Sequence, residues 1–127
     1  MNRLYIGTRK GLFTCEDQNG RWSIVSSEFL GAQVTAVLPT ADENIIYAAL
    51  NHGHFGVKMH RSSDGGESWE EIAAPAYTTS ENNSGNSKPP AVDLIWCLES
   101  ANDPDSSVWA GTIPGGLFKS SDRGDSW

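Results

Sequence analysis

Short stretches rich in aromatic and β-branched residues alternate with turns of glycine, proline, serine and charged residues along the chain. This pattern is typical of β-strands, and no window of useful length has the periodicity of an amphipathic helix. The sequence therefore predicts an all-β protein. The ten predicted strands cover residues 4–8, 11–15, 22–26, 34–38, 45–50, 57–61, 69–72, 92–99, 108–112 and 117–119.

One eight-residue pattern, Ser-x-Asp-x-Gly-x-Ser-Trp, occurs twice, at 62–69 and at 120–127. Its aspartate is expected to accept hydrogen bonds from the amides that follow, and its glycine tolerates a positive φ. The tryptophan is the first large apolar residue after the turn and is well placed to fold back onto the core. We therefore predict a tight hairpin turn with structural side chains. The residues assigned to this structural role are Ser62, Asp64, Gly66, Ser68 and Trp69, and in the second copy Ser120, Asp122, Gly124, Ser126 and Trp127.

A weaker third copy lies near the start of the chain. Aligned without a gap to the second octapeptide, this segment places Asp17 and Trp22 at the positions of the aspartate and the tryptophan. Asn19 then stands in place of the glycine, and asparagine is among the non-glycine residues that best tolerate a positive φ. We predict Asp17 and Trp22 to be structural residues of a third turn.

The three tryptophans that end these copies are 47 and 58 residues apart. A repeat of about 40–50 residues with four short strands is typical of a β-propeller blade. The longer interval is explained by a polar, serine- and asparagine-rich segment that we interpret as an insertion loop. The predicted fold is thus an all-β propeller of roughly three incomplete four-stranded blades. The predicted bounds are 1–31 for blade one, 32–75 for blade two, 76–90 for the insertion loop and 91–127 for blade three.

The predicted ring is incomplete. Blade one lacks an inner strand and blade three lacks an outer one, whereas closed propellers have at least about four blades. Open end sheets leave unpaired strand edges and apolar surface exposed. We therefore expect either further C-terminal blades or self-association to close the ring.

Composition narrows the classes of function. The net charge of −7 argues against nucleic acid as a partner, because nucleic-acid-binding proteins favour basic patches. No apolar run approaches the roughly 18 residues of a membrane helix, and the start of the chain lacks the apolar core of a signal peptide, so we expect a cytoplasmic protein with no membrane partner. Two cysteines are too few for a disulfide framework and have no metal-type spacing, so neither a metal nor a cofactor is expected.

The repeated octapeptide resembles the Asp-box, also called the bacterial neuraminidase repeat. Asp-boxes occur in sialidases, sortilin-like receptors, other glycoside hydrolases and photosystem assembly factors. With the Leu-Tyr-x-Gly-Thr and Gly-Leu-Phe motifs at 4–8 and 11–13, the whole chain resembles bacterial sialidase-like and glycosyl hydrolase-like repeat proteins. The resemblance implies propeller blades in which the turn joins the third and outer strands, on the face opposite the active site. It bears on the fold more than on function, because unrelated activities share this propeller.

The face opposite the turns is therefore where we expect a ligand. Two histidines spaced by two on an extended segment would place both rings on one side, which suits a metal or an acid–base pair; the alternative is a pair of solvated imidazoles. Two neighbouring cations would suit a carboxylate or phosphate, or are solvated loop charges. Two aromatic residues have two interpretations each. Tyr77 either stacks on a sugar or anchors its loop, and Trp96 either lines the central channel or packs in the core. In chain order these candidates are Arg9, Lys10, His52, His54, Tyr77 and Trp96.

Two functions follow from the resemblance. The first is a binding or scaffold module that holds a glycan or a protein at the loop face. The alternative is part of an exo-sialidase-like glycoside hydrolase whose active site is completed outside this chain. Sialidases resemble one another in three arginines, a Tyr–Glu nucleophile pair and a further acid, and of these arginines the loop face supplies Arg9 alone. The weak catalytic candidates are Glu28 and Asp93, so this chain by itself is expected to be inactive.

Overall fold

The structure, a computed structural model, describes residues 2–78 and 89–127, and within them it contains ten strands and no α-helix. Each of the ten predicted strands is present. The strands are β1 (Arg3–Thr8), β2 (Gly11–Gln18), β3 (Arg21–Glu28), β4 (Gln33–Pro39), β5 (Ile46–Asn51), β6 (Val57–Ser62), β7 (Glu70–Ile72), β8 (Leu94–Ser100), β9 (Val108–Ile113) and β10 (Gly116–Ser120). The predicted insertion loop falls largely on 79–88, which lie outside the described residues.

The strands form three antiparallel sheets, and in each sheet every strand pairs with its neighbour in the sequence. Sheet one is β1-β2-β3, sheet two is β4-β5-β6-β7, and sheet three is β8-β9-β10. None of the three closes into a barrel. Strand β4 packs against β1 on one side and against β8 on the other, so sheet two lies between the other two sheets.

Sheet two is buried on both faces. Along β5, alternate side chains point to opposite sides, as in any strand. Ala48 and Leu50 pack in one cluster with Leu12 of sheet one, whereas Tyr47 packs in a second cluster with Ile95 of sheet three. This double burial explains why 46–50 is a continuous apolar run rather than an alternating one.

A bulge interrupts the first strand of sheet two and of sheet three at the same place. The pairing register shifts at Thr35 in β4 and at Trp96 in β8. A bulge adds one residue and changes which face the following side chains occupy. As a result Ile95 and Leu98, three residues apart, both pack in the cluster between sheets two and three.

Arginines of one sheet bind the octapeptide turn of the next. Arg3 Nη1 donates to the carbonyl oxygen of Gly65 at 3.2 Å, and Arg61 Nη1 donates to the carbonyl oxygen of Arg123 at 2.5 Å. Both acceptors are the fourth residue of their octapeptide. The contact between sheets one and two is thus repeated between sheets two and three.

Arg61 also binds Asp125 at 3.1 Å and Glu70 at 2.7 Å, and its side chain is 14% exposed. Replacing it by methionine keeps part of the aliphatic stem and removes these hydrogen bonds. Because hydrogen bonds to charged groups contribute roughly 1.5–3 kcal/mol, we expect Arg61→Met to lower the free energy of unfolding by about 2 kcal/mol in urea denaturation.

Lys58→Met is the matched control. Lys58 lies on the same strand, and its ammonium is 3.9 Å from Glu71 in a more exposed pair. Such pairs contribute at most about 1 kcal/mol. Equal losses in the two variants would contradict a stabilising role for the contact between sheets.

Candidate functional site

The two octapeptide turns have the same hydrogen-bond network. In the first, Ser62 Oγ donates to Asp64 Oδ1 at 2.8 Å, and Asp64 Oδ1 accepts the Ser68 amide at 2.8 Å. The Gly66 amide donates to Ser62 Oγ at 2.8 Å, and Gly66 has a φ of 94°. The second turn repeats these bonds through Ser120, Asp122, Gly124 and Ser126, with the Gly124 amide 2.7 Å from Ser120 Oγ.

The tryptophans that end the turns pack against the preceding sheet. Trp69 lies edge-on to Phe29, with ring centroids 5.2 Å apart, in the cluster shared with sheet one. Trp127 packs in the cluster between sheets two and three, and its indole Nε1 donates to the Ala73 carbonyl at 2.7 Å. Both residues therefore contribute to packing between sheets.

The aspartates of the turns are held in the ionised form. The Ser68 hydroxyl and amide, with the Ser62 hydroxyl, lower the pKa of Asp64 to about 2. The corresponding bonds from Ser126 and Ser120 lower the pKa of Asp122. A carboxylate held ionised in this way is a poor general acid near neutral pH, and its lone pairs are occupied by the turn.

The third copy is built differently from the other two. Asn19 has a φ of 56° and Gly20 a φ of 82°, and these residues close a two-residue hairpin between β2 and β3. Asp17 and Trp22 lie opposite each other on the two strands, and Asp17 Oδ1 is buried with no hydrogen-bond partner among the described residues. Asp17 therefore does not organise this turn as Asp64 organises the first.

The loop face holds a cleft of about 350 Å³ between sheets one and two. Arg9 comes from the β1–β2 turn, Gln33 from the start of β4, and Asn51 and His52 from the end of β5. Arg9 follows the last residue of β1, and Arg3 is the first residue of that strand, so the cleft and the octapeptide turns lie at opposite ends of the sheets. The cleft unites a guanidinium, an imidazole and two amides, which are donors suited to an anionic or hydroxyl-rich ligand.

The two loop histidines do not form a pair across an extended segment. The amide of Gly53 donates to Asn51 Oδ1 at 2.9 Å, and a 3₁₀ helix follows at Gly53–Phe55. His52 therefore faces the cleft, while His54 packs edge-on against Phe55 with ring centroids 5.6 Å apart. The prediction of an extended segment was wrong because the asparagine side chain starts a helical turn.

The remaining candidates are not in the cleft. Lys10 is exposed next to Arg9, outside the cleft lining. Tyr77 donates to the Pro114 carbonyl at 2.7 Å and packs edge-on against Phe118, so it anchors its segment to sheet three. Trp96 is 65% exposed on sheet three, and the core interpretation of this residue was wrong.

The two candidate carboxylates belong to different sheets. Glu28 lines a groove with Arg3 and the turn at 64–67, whereas the amide of Asp93 donates to the Ile113 carbonyl at 2.8 Å in sheet three. Sheet two lies between them. In the described part of the chain, no three His, Cys, Asp or Glu side chains are grouped as a metal site would require.

Arg3 and Arg61 make contacts between sheets that the sequence did not identify. Each is separated by 62 residues from the carbonyl that it binds, so no local motif joins donor and acceptor. A usable signal was the pairing of Arg61 with Tyr47 across the predicted hairpin, which places a cation beside the aromatic residue of the repeat.

Compared with models of known protein families and with curated proteins, the chain gives no match. None of the helices within 2–78 and 89–127 has the length and apolar character needed to cross a membrane.

Asp64→Asn should lower stability in a pH-dependent way. Because the folded-state pKa of Asp64, about 2, lies below its ordinary value, its contribution is complete above about pH 4 and is lost as pH falls through 2. We expect the melting temperature of the variant to lie below that of the wild type at pH 7, and the gap to shrink between pH 4 and pH 2. Asp105→Asn, at an exposed loop position, is the control; a gap for Asp64→Asn that stays constant with pH would refute this explanation.

Proposed function

We propose that the chain forms three consecutive blades of an Asp-box β-propeller and works as a binding module that holds an acidic sugar at the loop face. The observation that carries the proposal is the cleft lined by Arg9, Gln33, Asn51 and His52. In a chain of net charge −7, this cleft gathers a cation and neutral donors without a carboxylate among its described lining residues.

The repeated contact between sheets supports the propeller architecture. Sheets one, two and three pack against one another in chain order, with β4 of sheet two between β1 and β8. The turn of each later sheet is bound by an arginine of the sheet before it. Antiparallel sheets that follow one another in chain order and share a recurring contact are expected in a propeller.

The size and chemistry of the cleft favour one acidic monosaccharide unit. A volume of about 350 Å³ is at the lower end of the range for small-molecule sites. A guanidinium can bind a carboxylate with two parallel hydrogen bonds, and the amides of Gln33 and Asn51 match sugar hydroxyls. The side-chain oxygen of Asn51, Oδ1, already accepts the Gly53 amide, which orients the side-chain amino group of Asn51.

Binding is favoured over hydrolysis by the placement of the acids. Glycoside hydrolysis by the common mechanisms needs two carboxyl groups that flank one bond, at most about 9.5 Å apart. Glu28 and Asp93 belong to sheets one and three and share no described cleft. The glycoside hydrolase alternative would gain support if the chain released a fluorescent leaving group from an α-sialoside and the Glu28→Gln/Asp93→Asn variant did not.

Titration with the methyl glycosides of N-acetylneuraminic acid and glucuronic acid, followed by NMR, tests the binding proposal. We expect at least one acidic glycoside to shift the amides of 9–11, 31–33 and 51–53. Arg9→Gln should weaken that binding by about tenfold or more, because a charge-assisted hydrogen bond contributes roughly 1.5–3 kcal/mol.

Lys10→Gln is the matched control, because it removes a neighbouring charge outside the cleft lining. It should leave the dissociation constant within about twofold, as expected for a solvated charge. Equal binding of neutral methyl galactoside, or equal effects of the two substitutions, would contradict the proposed site.

A further inference from the structure

Each internal contact between sheets has a receiving side with an aromatic ring and an arginine. The ring of Tyr5 lies beside Gly66, where an added Cβ would be 3.9 Å from it, and Arg3 binds the adjacent carbonyl. The ring of Tyr47 lies beside Gly124, 3.6 Å from such a Cβ, and Arg61 binds the adjacent carbonyl. The glycine of each octapeptide thus lies within van der Waals reach of an aromatic ring of the preceding sheet.

Sheet three repeats this receiving side, and no described sheet packs on it. Trp109 occupies the position of Tyr47 in the strand repeat, and Lys119 pairs with Trp109 as Arg61 pairs with Tyr47. The Lys119 ammonium lies 5.4 Å from the centre of the Trp109 ring. Tyr47 is 1% exposed and Trp109 is 36% exposed, and the nearby Trp96 and Leu117 are also exposed. No described sheet covers this surface, which we term the receiving face.

Sheet one has the opposite open side. Tyr5 packs toward sheet two, so its neighbours Leu4 and Ile6 point away from sheet two. Leu4 is aligned across the strands with Cys15 and Ile24, and Trp22 pairs with Asp17 on the same side. Leu4, Ile6, Trp22 and Ile24 are all exposed. We term this surface the inserting face, because Trp22 stands where Trp69 and Trp127 stand in the repeats that pack against a preceding sheet.

We propose that the receiving face of one copy of this chain docks the inserting face of a second copy. The chain already makes this kind of interface twice, between sheets one and two and between sheets two and three. The receiving face on sheet three and the inserting face on sheet one correspond to the two sides of that interface. Lys119 is the cation of the receiving face, where Glu99 also pairs across the strands with Trp109, and Asp17 stands beside Trp22 on the inserting face.

Two copies joined in this way contain six of the described sheets. Propellers typically have four to eight blades, so a closed ring of two copies is the assembly expected. The contact is head to tail, because different surfaces of the two copies meet, and a ring forms when the rotation between copies closes. The inference rests on the sheet stacking of the proposed propeller and is independent of the sugar at the loop face.

Sedimentation velocity on the whole chain, over a series of concentrations, tests the inference. The wild type should sediment as a species of twice the 13.7 kDa chain mass. Trp22→Glu alone and Trp109→Glu alone should be monomers, because each loses one of the two docking faces. An equimolar mixture of the two variants should return to dimers, since each supplies the intact face that the other lacks.

Phe55→Glu is the control, because Phe55 is an exposed aromatic residue of the loop after β5 and belongs to neither face. This variant should remain a dimer.

Lys119→Glu, a surface charge change with little risk to folding, should weaken the dimer by about tenfold or more by placing like charges together. A monomeric wild type at every concentration, a dimeric single tryptophan variant, or a mixture that stays monomeric would overturn the inference. Arg9-dependent sugar binding by such a monomer would leave the proposed function intact.

Discussion

The burial of β5 on both faces is the constraint on which the rest of the structure depends. Each residue from Ile46 to Leu50 is at most 1% exposed, so the strand requires a sheet on either side. The sheets that meet this requirement are themselves two-faced, and each presents its other apolar side outward. Stability in such a stack is roughly a sum of the sheets and of the contacts between nearest neighbours. The outer faces of sheets one and three are therefore both apolar and uncovered by any described sheet.

The two ends of the sheets differ in how their polar side chains are used. At one end, Asp64 and Asp122 organise turns whose polar groups are occupied by local hydrogen bonds. At the other end, Arg9 and His52 lie on loops whose side chains face solvent in a shallow cleft. Binding groups are commonly carried by loops on a rigid scaffold, because loop sequence can vary without cost to the core. Substitutions at the cleft should therefore affect the proposed sugar binding more than folding.

Much of the fold could be predicted from the sequence, because strand periodicity and the octapeptide are local signals. The strands came from the alternation of apolar stretches with turns, and the role of Asp64 came from the known hydrogen-bonding habit of aspartate in turns. Contacts through space were not accessible in this way. The bonds of Arg3 and Arg61 to turn carbonyls depend on how sheets stack. The position of His52 depends on one side-chain bond of Asn51, and the exposure of Trp96 depends on a bulge.

The arginine contact between sheets recognises a main-chain carbonyl rather than a side chain. The fourth octapeptide residue is glycine in one copy and arginine in the other, yet both accept the same bond. The requirement on that residue is conformational, since Gly65 has a φ of 73° and Arg123 a φ of 59°. After a gene duplication, a new repeat could thus drift in sequence at this position without a compensating change in its neighbour. Repeats could therefore differ in side chain at this position and still keep the main-chain contact that aligns one sheet with the next.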